Sequence, residues 1–417
     1  MRFATLRPPR LRTKSEEGER SATWLELFYD LVFVVAVAAL GHRLLVDPSW
    51  TGGLAYVGFF IPLWWAWVGY TFYADRYDTD DLGQRNLAAA QIMAVAFMAA
   101  SVGGETDSTF AFALAFIAAR SILVIMYIRA RRHVHETREL VTGYIKGHSI
   151  AIGVWVLSLL VPEEIRIVLW AIALAIDFYT PYHFRTIQAK VPLDTSHLPE
   201  RFGLFTILVL GESIAATIAG LSHEGWHVRP VIGSVLAVII ATGLWWIYFD
   251  NSEGSVVRRR KGQRKAWKPT VWIYSHLPLA IALTASGIGL EFVITDHWHM
   301  AERMVVTLGV AGAFVAMGLI HIATEAGSER DDELKARVRF GAAGVVVLLG
   351  LLAGDLAPNW FAFLIALLVI AQVGLDVALE PRGSSVPEPA EEAPAVAQAA
   401  DDAEKAPPGN DELPDTD

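Results

Sequence analysis

Glu26 and Asp30 stand four residues apart inside an otherwise apolar run, Trp24-Leu-Glu-Leu-Phe-Tyr-Asp-Leu-Val-Phe-Val34. On a helix that spacing puts both carboxylates on one face, about 6 Å apart along the axis. Like charges so placed repel, so they need a nearby cation or a shared proton, the chemistry of a cation-binding or proton-coupled site. Arg120 lies nine residues before Arg129 and is therefore about 13 Å deeper by helical rise. Asp177, eight residues before Arg185, reaches a comparable level. An ionisable group at bilayer depth costs roughly 2.5–3.5 kcal/mol, so each needs a partner, a cavity or a task. These positions predict a buried Asp30/Arg120/Asp177 cluster, serving either as an ion site or as an ion pair that locks helices together.

Another set sits in one later run. Glu200 and Arg201 open it, and Glu212 follows twelve residues after Glu200. Arg201 and Glu212 differ by eleven residues, about 20° around a helix, so both are expected to face the same way. Glu212 is the deepest carboxylate and the leading single candidate; Gly211 and Ser213 beside it allow close approach of a helix or a substrate. His148, His276 and His321 also lie within apolar runs, and His276 is retained as a substrate- or ion-binding candidate. None has His-x-x-x-His spacing, and a histidine in a membrane more often bonds to a neighbouring helix than to a metal, so no metal site is expected.

The chain has no cysteine, which excludes disulfides, thiolate metal sites and a cysteine nucleophile. It has no Walker motif, dinucleotide glycine pattern or Gly-x-Ser-x-Gly elbow, so no cofactor, nucleotide hydrolysis or catalytic residue is expected. The expected partners are membrane lipid and a small solute or ion, a proton or sodium among them, with no nucleic acid. The chain's own oligomeric state is left open.

The elements that must position these residues are membrane helices. Of 417 residues, 54% are hydrophobic and 19% charged, with a mean hydropathy of +0.40. A bilayer core of about 30 Å needs about 20 apolar residues per helix. Twelve stretches qualify: 23–43, 52–73, 84–103, 109–128, 141–161, 164–183, 200–220, 230–250, 270–293, 303–324, 336–353 and 358–379. The expected fold class is an all-α polytopic transmembrane bundle. Its fourteen Trp and eleven Tyr suit the belts that aromatic rings form at headgroup level.

Loop charges test this topology independently. Connections on the side of the N-terminus hold 26 Lys and Arg; those on the other side hold only Arg43, Arg166, Arg229 and Arg303. Cytoplasmic loops retain positive charge, so both termini are expected in the cytoplasm. The run 258–268 could touch anionic lipid, although topology alone accounts for it.

The two halves also resemble each other. Glu26-Leu-Phe28 answers to Glu200-Arg-Phe202, Tyr70–Asp75 to Trp245–Asp250, and Ala-Ile-Asp177 to Gly-Leu-Asp376. An even number of crossings per half implies parallel repeats with a site between them. The expected organisation is a basic tail over 1–21, a six-helix repeat over 22–190, another over 191–380, and an acidic, Pro/Ala-rich disordered tail over 381–417. Residues 383–417 hold ten Asp/Glu and one Lys, so the acidity of the chain belongs to that tail.

Two long segments carry a family resemblance: Trp24–Val34, and His197-Leu-Pro-Glu-Arg-Phe-Gly-Leu-Phe-Thr-Ile-Leu-Val-Leu-Gly-Glu-Ser213. With Trp64-Trp-Ala-Trp67, Tyr70-Thr-Phe-Tyr73 and the Arg120 region, they resemble the bacterial low temperature requirement A (LtrA) family over about residues 20–380. The resemblance implies a multi-pass protein of the bacterial inner membrane required for growth in the cold, and implies no substrate or mechanism. The expected function is an ion-coupled secondary transporter. The alternatives are a cation channel, since Phe28-x-Asp30 is similar to the Phe-Ser-Asp motif of certain potassium channels, or an intramembrane lipid-handling enzyme using the Glu26/Asp30 pair.

Overall fold

The computed structural model describes residues 8–11, 23–78, 81–103, 108–188, 190, 197–251, 267–295, 297–324 and 329–379. The acidic tail 381–417, most of the basic tail 1–21 and most of the basic run 258–268 lie outside these. Nearly everything described belongs to one compact unit ending at Asp376; of the other unit, from Val377, only residues 377–379 are described.

The helices run α1 Trp24–Val46, α2 Trp50–Arg76, α3 Leu82–Val102, α4 Thr109–His133, α5 Arg138–Ser158, α6 Glu163–His183, a single turn α7 Arg185–Gln188, α8 His197–Glu224, α9 Val228–Asn251, α10 Lys268–Thr295, α11 Met300–Thr324, α12 Glu329–Leu352 and α13 Pro358–Leu379. The twelve long helices match the twelve expected spans to within about five residues at each end, except that α12 begins earlier, at Glu329. Eleven are long and apolar enough to cross a membrane. The exception is α12, whose first turns, Glu329-Arg-Asp-Asp-Glu-Leu-Lys-Ala-Arg-Val-Arg339, are too charged to count as apolar. The molecule is thus a polytopic helical membrane bundle. One small departure from all-α is a two-residue antiparallel pair in which β1 (Arg10–Leu11) meets β2 (Tyr77–Asp78), tying a piece of the N-terminal tail to the end of α2.

Helix starts are built by side chains. Thr23 caps α1, and Glu26 three residues on returns the bond, its Oε2 accepting from Thr23 N and Oγ1 at 2.8 Å each. Asp81 caps α3 through Gln84 N at 3.0 Å and holds Arg129 of α4 at 2.7 Å. Gly354, at φ +52°, turns the chain between α12 and α13, and Arg303 of α11 closes that turn by donating to Gly350 O and Gly354 O.

Tryptophans divide between two roles, of which the belt is one. Trp24, Trp50, Trp226 and Trp360 are exposed at helix ends, as belts require. Trp64, Trp65, Trp67, Trp155 and Trp272 are buried in the core. In chain order, α1 meets α2 and α3, α3 meets α4, and α4 meets α5; α8 meets α9 and α10, α10 meets α11, and α11 meets α12.

Candidate functional site

Helix α2 is the wall between two buried polar networks. Residues 65, 69, 72 and 76 recur at helical spacing and line one face, while 64, 67, 71 and 75 line another. The face with Gly69 borders α4 and a cavity; the face with Trp67 borders α1 and α8.

On the Trp67 face, Arg201 of α8 is 0% exposed. Its Nη2 lies 2.6 Å from Asp30 Oδ1, and its Nη1 lies 3.2 Å from Glu26 Oε1. Asp30 Oδ1 also accepts the Trp67 indole N–H at 2.8 Å. His197, the first residue of α8, reaches Asp75 Oδ1 at 3.0 Å through Nδ1 and Glu26 Oε1 at 3.5 Å through Nε2. Glu26 therefore serves its helix cap with one oxygen and the network with the other. The α1 carboxylate pair is balanced by Arg201, so α1, α2 and α8 meet over one buried cation shared by two carboxylates.

On the Gly69 face, Arg120 of α4 is 2% exposed, and its Nη2 lies 3.0 Å from Asp177 Oδ1 of α6 and 2.8 Å from His148 Nδ1 of α5. His148 Nδ1 also lies 2.7 Å from Asp177 Oδ1. One ring nitrogen cannot serve both contacts as a hydrogen bond. It either accepts from Arg120 or donates to Asp177, according to whether it carries a proton. The three groups therefore form a triangle with two discrete bonding patterns.

The expected Asp30/Arg120/Asp177 cluster is thus divided. Arg120 and Asp177 do meet, joined by His148, but Asp30 belongs to Arg201. The physical reason is lateral: depth along a helix follows from sequence spacing, but α2 stands between the two networks. Glu200 is exposed. Glu212 is half-buried, within electrostatic reach of the equally half-buried Glu291 on α10, and does not share the fully buried setting of Arg201. Of the small residues beside Glu212, Ser213 makes the close helix approach and Gly211 does not: a β-carbon at Gly287 of α10 would lie 2.5 Å from Ser213 Oγ, and a β-carbon at Gly211 would meet nothing within 4 Å. His276 is buried with both ring nitrogens occupied, Nδ1 at 2.7 Å from Trp272 O and Nε2 at 3.1 Å from the Tyr248 hydroxyl, which makes it a tie between α9 and α10.

The partners that sequence reasoning left out had signals of their own. Thr23-x-x-Glu26 is a capping-box spacing that places Glu26 at a helix end. Asp75 and His197 stood inside the quoted motifs without a role, and Arg339, inside the expected span 336–353 without a role, is buried and lies 2.9 Å from Asp376 Oδ2. Among the described residues no group of three or more His, Asp or Glu could hold a metal ion.

A cavity of about 100 Å³ opens beside the Arg120 triangle, bounded by α2, α4, α5, α6, α7 and α10. Arg120 and His148 line it deep inside; Arg76, Arg185 and Gln188 line it near the C-terminal ends of α2 and α6. Gln188 Nε2 donates to the Tyr144 hydroxyl and to Pro181 O, holding α7 across one side. Gly69 lies where the cavity meets Arg120: a β-carbon there would come 2.7 Å from Arg120 Nη1 and 2.8 Å from Leu123 Cδ2.

A helical bundle with eleven apolar spans among the described residues, buried ion networks joining its helices and a cavity beside one of them defines a multi-pass membrane protein. The chain belongs to the bacterial low temperature requirement A protein (LtrA) family, whose family model matches residues 21–382. It is similar to an uncharacterized protein, RA0937, of Rhizobium meliloti (strain 1021), at 27% identity over 311 residues, 69% of this chain and 73% of the relative. No solved structure matches.

Proposed function

We propose that this chain is a secondary transporter of a small solute, coupled to a cation, in the bacterial inner membrane with both termini in the cytoplasm. The observation that carries the reading is the cavity beside the Arg120/His148/Asp177 triangle, at the end of α6 on the side of the basic loops. A cavity that ends on buried ion pairs inside a bundle suits a substrate site closed on one side, because ion pairs shared among helices can re-form when the helices move.

The triangle also supplies a coupling element. A proton arriving at His148 Nδ1 changes it from acceptor of Arg120 to donor toward Asp177, which frees one guanidinium N–H. A six-plus-six duplication is part of the same proposal, supported by the matching order of helix neighbours from α1 to α5 and from α8 to α12. Asp177 and Asp376, matched in the sequence, each hold a buried guanidinium at 3.0 and 2.9 Å.

The test is solute flux into proteoliposomes under an imposed proton or sodium gradient. Saturable uptake that follows the gradient is expected. Discrete unitary currents in planar bilayers would instead make the chain a channel, and absence of flux for every solute class would remove the transporter reading.

A further inference from the structure

We propose that the cavity binds a small oxyanion, a phosphate- or carboxylate-like group, and that Arg76, Arg120 and Arg185 are its recognition residues. The inference rests on the cavity being the substrate site, and it names the substrate class.

Charge makes the first argument. Three guanidiniums line the cavity together with His148, and among the described residues no carboxylate does. Asp177 stands behind Arg120 and pairs with it; among the described residues neither Arg76 nor Arg185 forms an ion pair. Arg185 instead donates to Tyr182 O at 3.1 Å and lies over the Tyr182 ring at 4.3 Å, contacts that leave its positive charge uncancelled. A metal cation or an ammonium group entering here would meet net positive charge, whereas an anion is attracted.

Unused donors make the next argument, independently of charge. Arg120 directs Nη2 at Asp177 and His148, while its Nε and Nη1 have no hydrogen-bond partner although the residue is 2% exposed. Arg76 Nε is in the same condition at 5% exposed. Buried guanidinium donors without acceptors are costly, and the planar fork of a guanidinium matches the two oxygens of a phosphate or carboxylate. Hydroxyls of Tyr144 and Tyr274 and the amide of Gln188 add neutral polar groups around the same space.

Size makes the third. At about 100 Å³ the cavity is well below that of a drug-sized site, and it suits an inorganic oxyanion or a short carboxylate. The same chemistry belongs to a free anion arriving from water and to the headgroup of an anionic lipid, so the test separates these sources.

The experiment is titration calorimetry on the full chain purified in a neutral maltoside detergent, with inorganic phosphate and acetate as probes and potassium chloride at matched ionic strength as the control. Phosphate or acetate is expected to bind. Arg185→Gln, at the exposed mouth where folding is safe, and Arg76→Gln are expected to weaken that binding about tenfold or more each, because each removes a charge-assisted bond. Arg337→Gln, on an exposed turn of α12, is expected to leave it unchanged. Should Arg76→Gln fail to fold, Arg185→Gln alone carries the test. Nanodiscs of phosphatidylglycerol and of phosphatidylcholine then identify the source: loss of phosphate binding only in phosphatidylglycerol, reversed by Arg185→Gln, assigns the site to a lipid headgroup, and equal binding in both assigns it to a free anion. Either supports the oxyanion site. No binding of either probe, or binding that Arg76→Gln and Arg185→Gln leave untouched, overturns it. Flux without anion binding would sink this inference and leave the transporter standing; anion binding without flux would do the reverse.

Discussion

Asp30 Oδ1 accepts from two neighbours at once, Arg201 Nη2 at 2.6 Å and the Trp67 indole at 2.8 Å, so a single carboxylate oxygen joins α1 to α8 and α2. Arg201 pairs with both Asp30 and Glu26. Losing one partner of a buried ion pair typically costs about 3–5 kcal/mol, whereas replacing the whole set can be nearly neutral. Arg201→Ala is therefore expected to lower the melting temperature in detergent, and Arg201→Met with Glu26→Gln and Asp30→Asn to recover part of the loss. A triple variant melting below Arg201→Ala would show that the three do not act as one unit.

The Trp67 indole donor can be isolated by a double-mutant cycle, because Trp67→Phe removes the N–H together with the second ring of a fully buried side chain that lies 4.3 Å from Phe205. A hydrogen bond to a charged group contributes about 1.5–3 kcal/mol, so Trp67→Phe is expected to destabilise by at least that much, the lost ring volume adding to it. In an Asp30→Asn background the same substitution is expected to cost less, and a double-mutant cycle reads the difference.

Arg120 makes a sharper comparison. Arg120→Ala leaves Asp177 buried with only His148 beside it, a loss again of about 3–5 kcal/mol. Adding Asp177→Asn is expected to restore part of the thermal stability, while adding Asp30→Asn is not, because Asp30 pairs elsewhere. Equal rescue by the two would contradict the separation of the networks by α2.

Gly69→Ala addresses the same guanidinium from the opposite side. Its β-carbon would press on Arg120 Nη1 and Leu123 Cδ2. Overpacking of this kind costs about 1–3 kcal/mol, and Arg120 is pinned on its other side by Asp177 and His148. The variant is expected to melt lower, and Gly69→Ala combined with Leu123→Ala, itself a costly change at a buried leucine, to lose less than the sum of the two single losses. Strict additivity would place the clash on Arg120 and not on Leu123.

Glu212 offers a contrast. It is half-buried, so Glu212→Gln is expected to melt within about 0.5 kcal/mol of the wild type, as substitutions outside tightly paired sites do. Any change in cation-coupled flux in that variant then reports function and not folding. Unchanged coupled flux would remove Glu212 from the coupling path.

Helix number and approximate limits were legible in the amino-acid sequence, because a bilayer imposes a length on apolar runs and a penalty on the ionisable groups within them. By that logic Glu26, Asp30, Arg120, Asp177 and Arg201 stood out before any fold was known, and each is buried and paired. The choice of partner belonged to tertiary structure. Helical rise gives Asp30 and Arg120 similar depths, but it carries no information about which helices stand side by side. The interposition of α2 assigned Asp30 to Arg201 and Arg120 to His148 and Asp177. The same packing satisfied His276 within its own pair of helices and left Glu212 half-buried. It also gathered Arg76, Arg120 and Arg185, three cations far apart in the chain, around one cavity that no local pattern foretells.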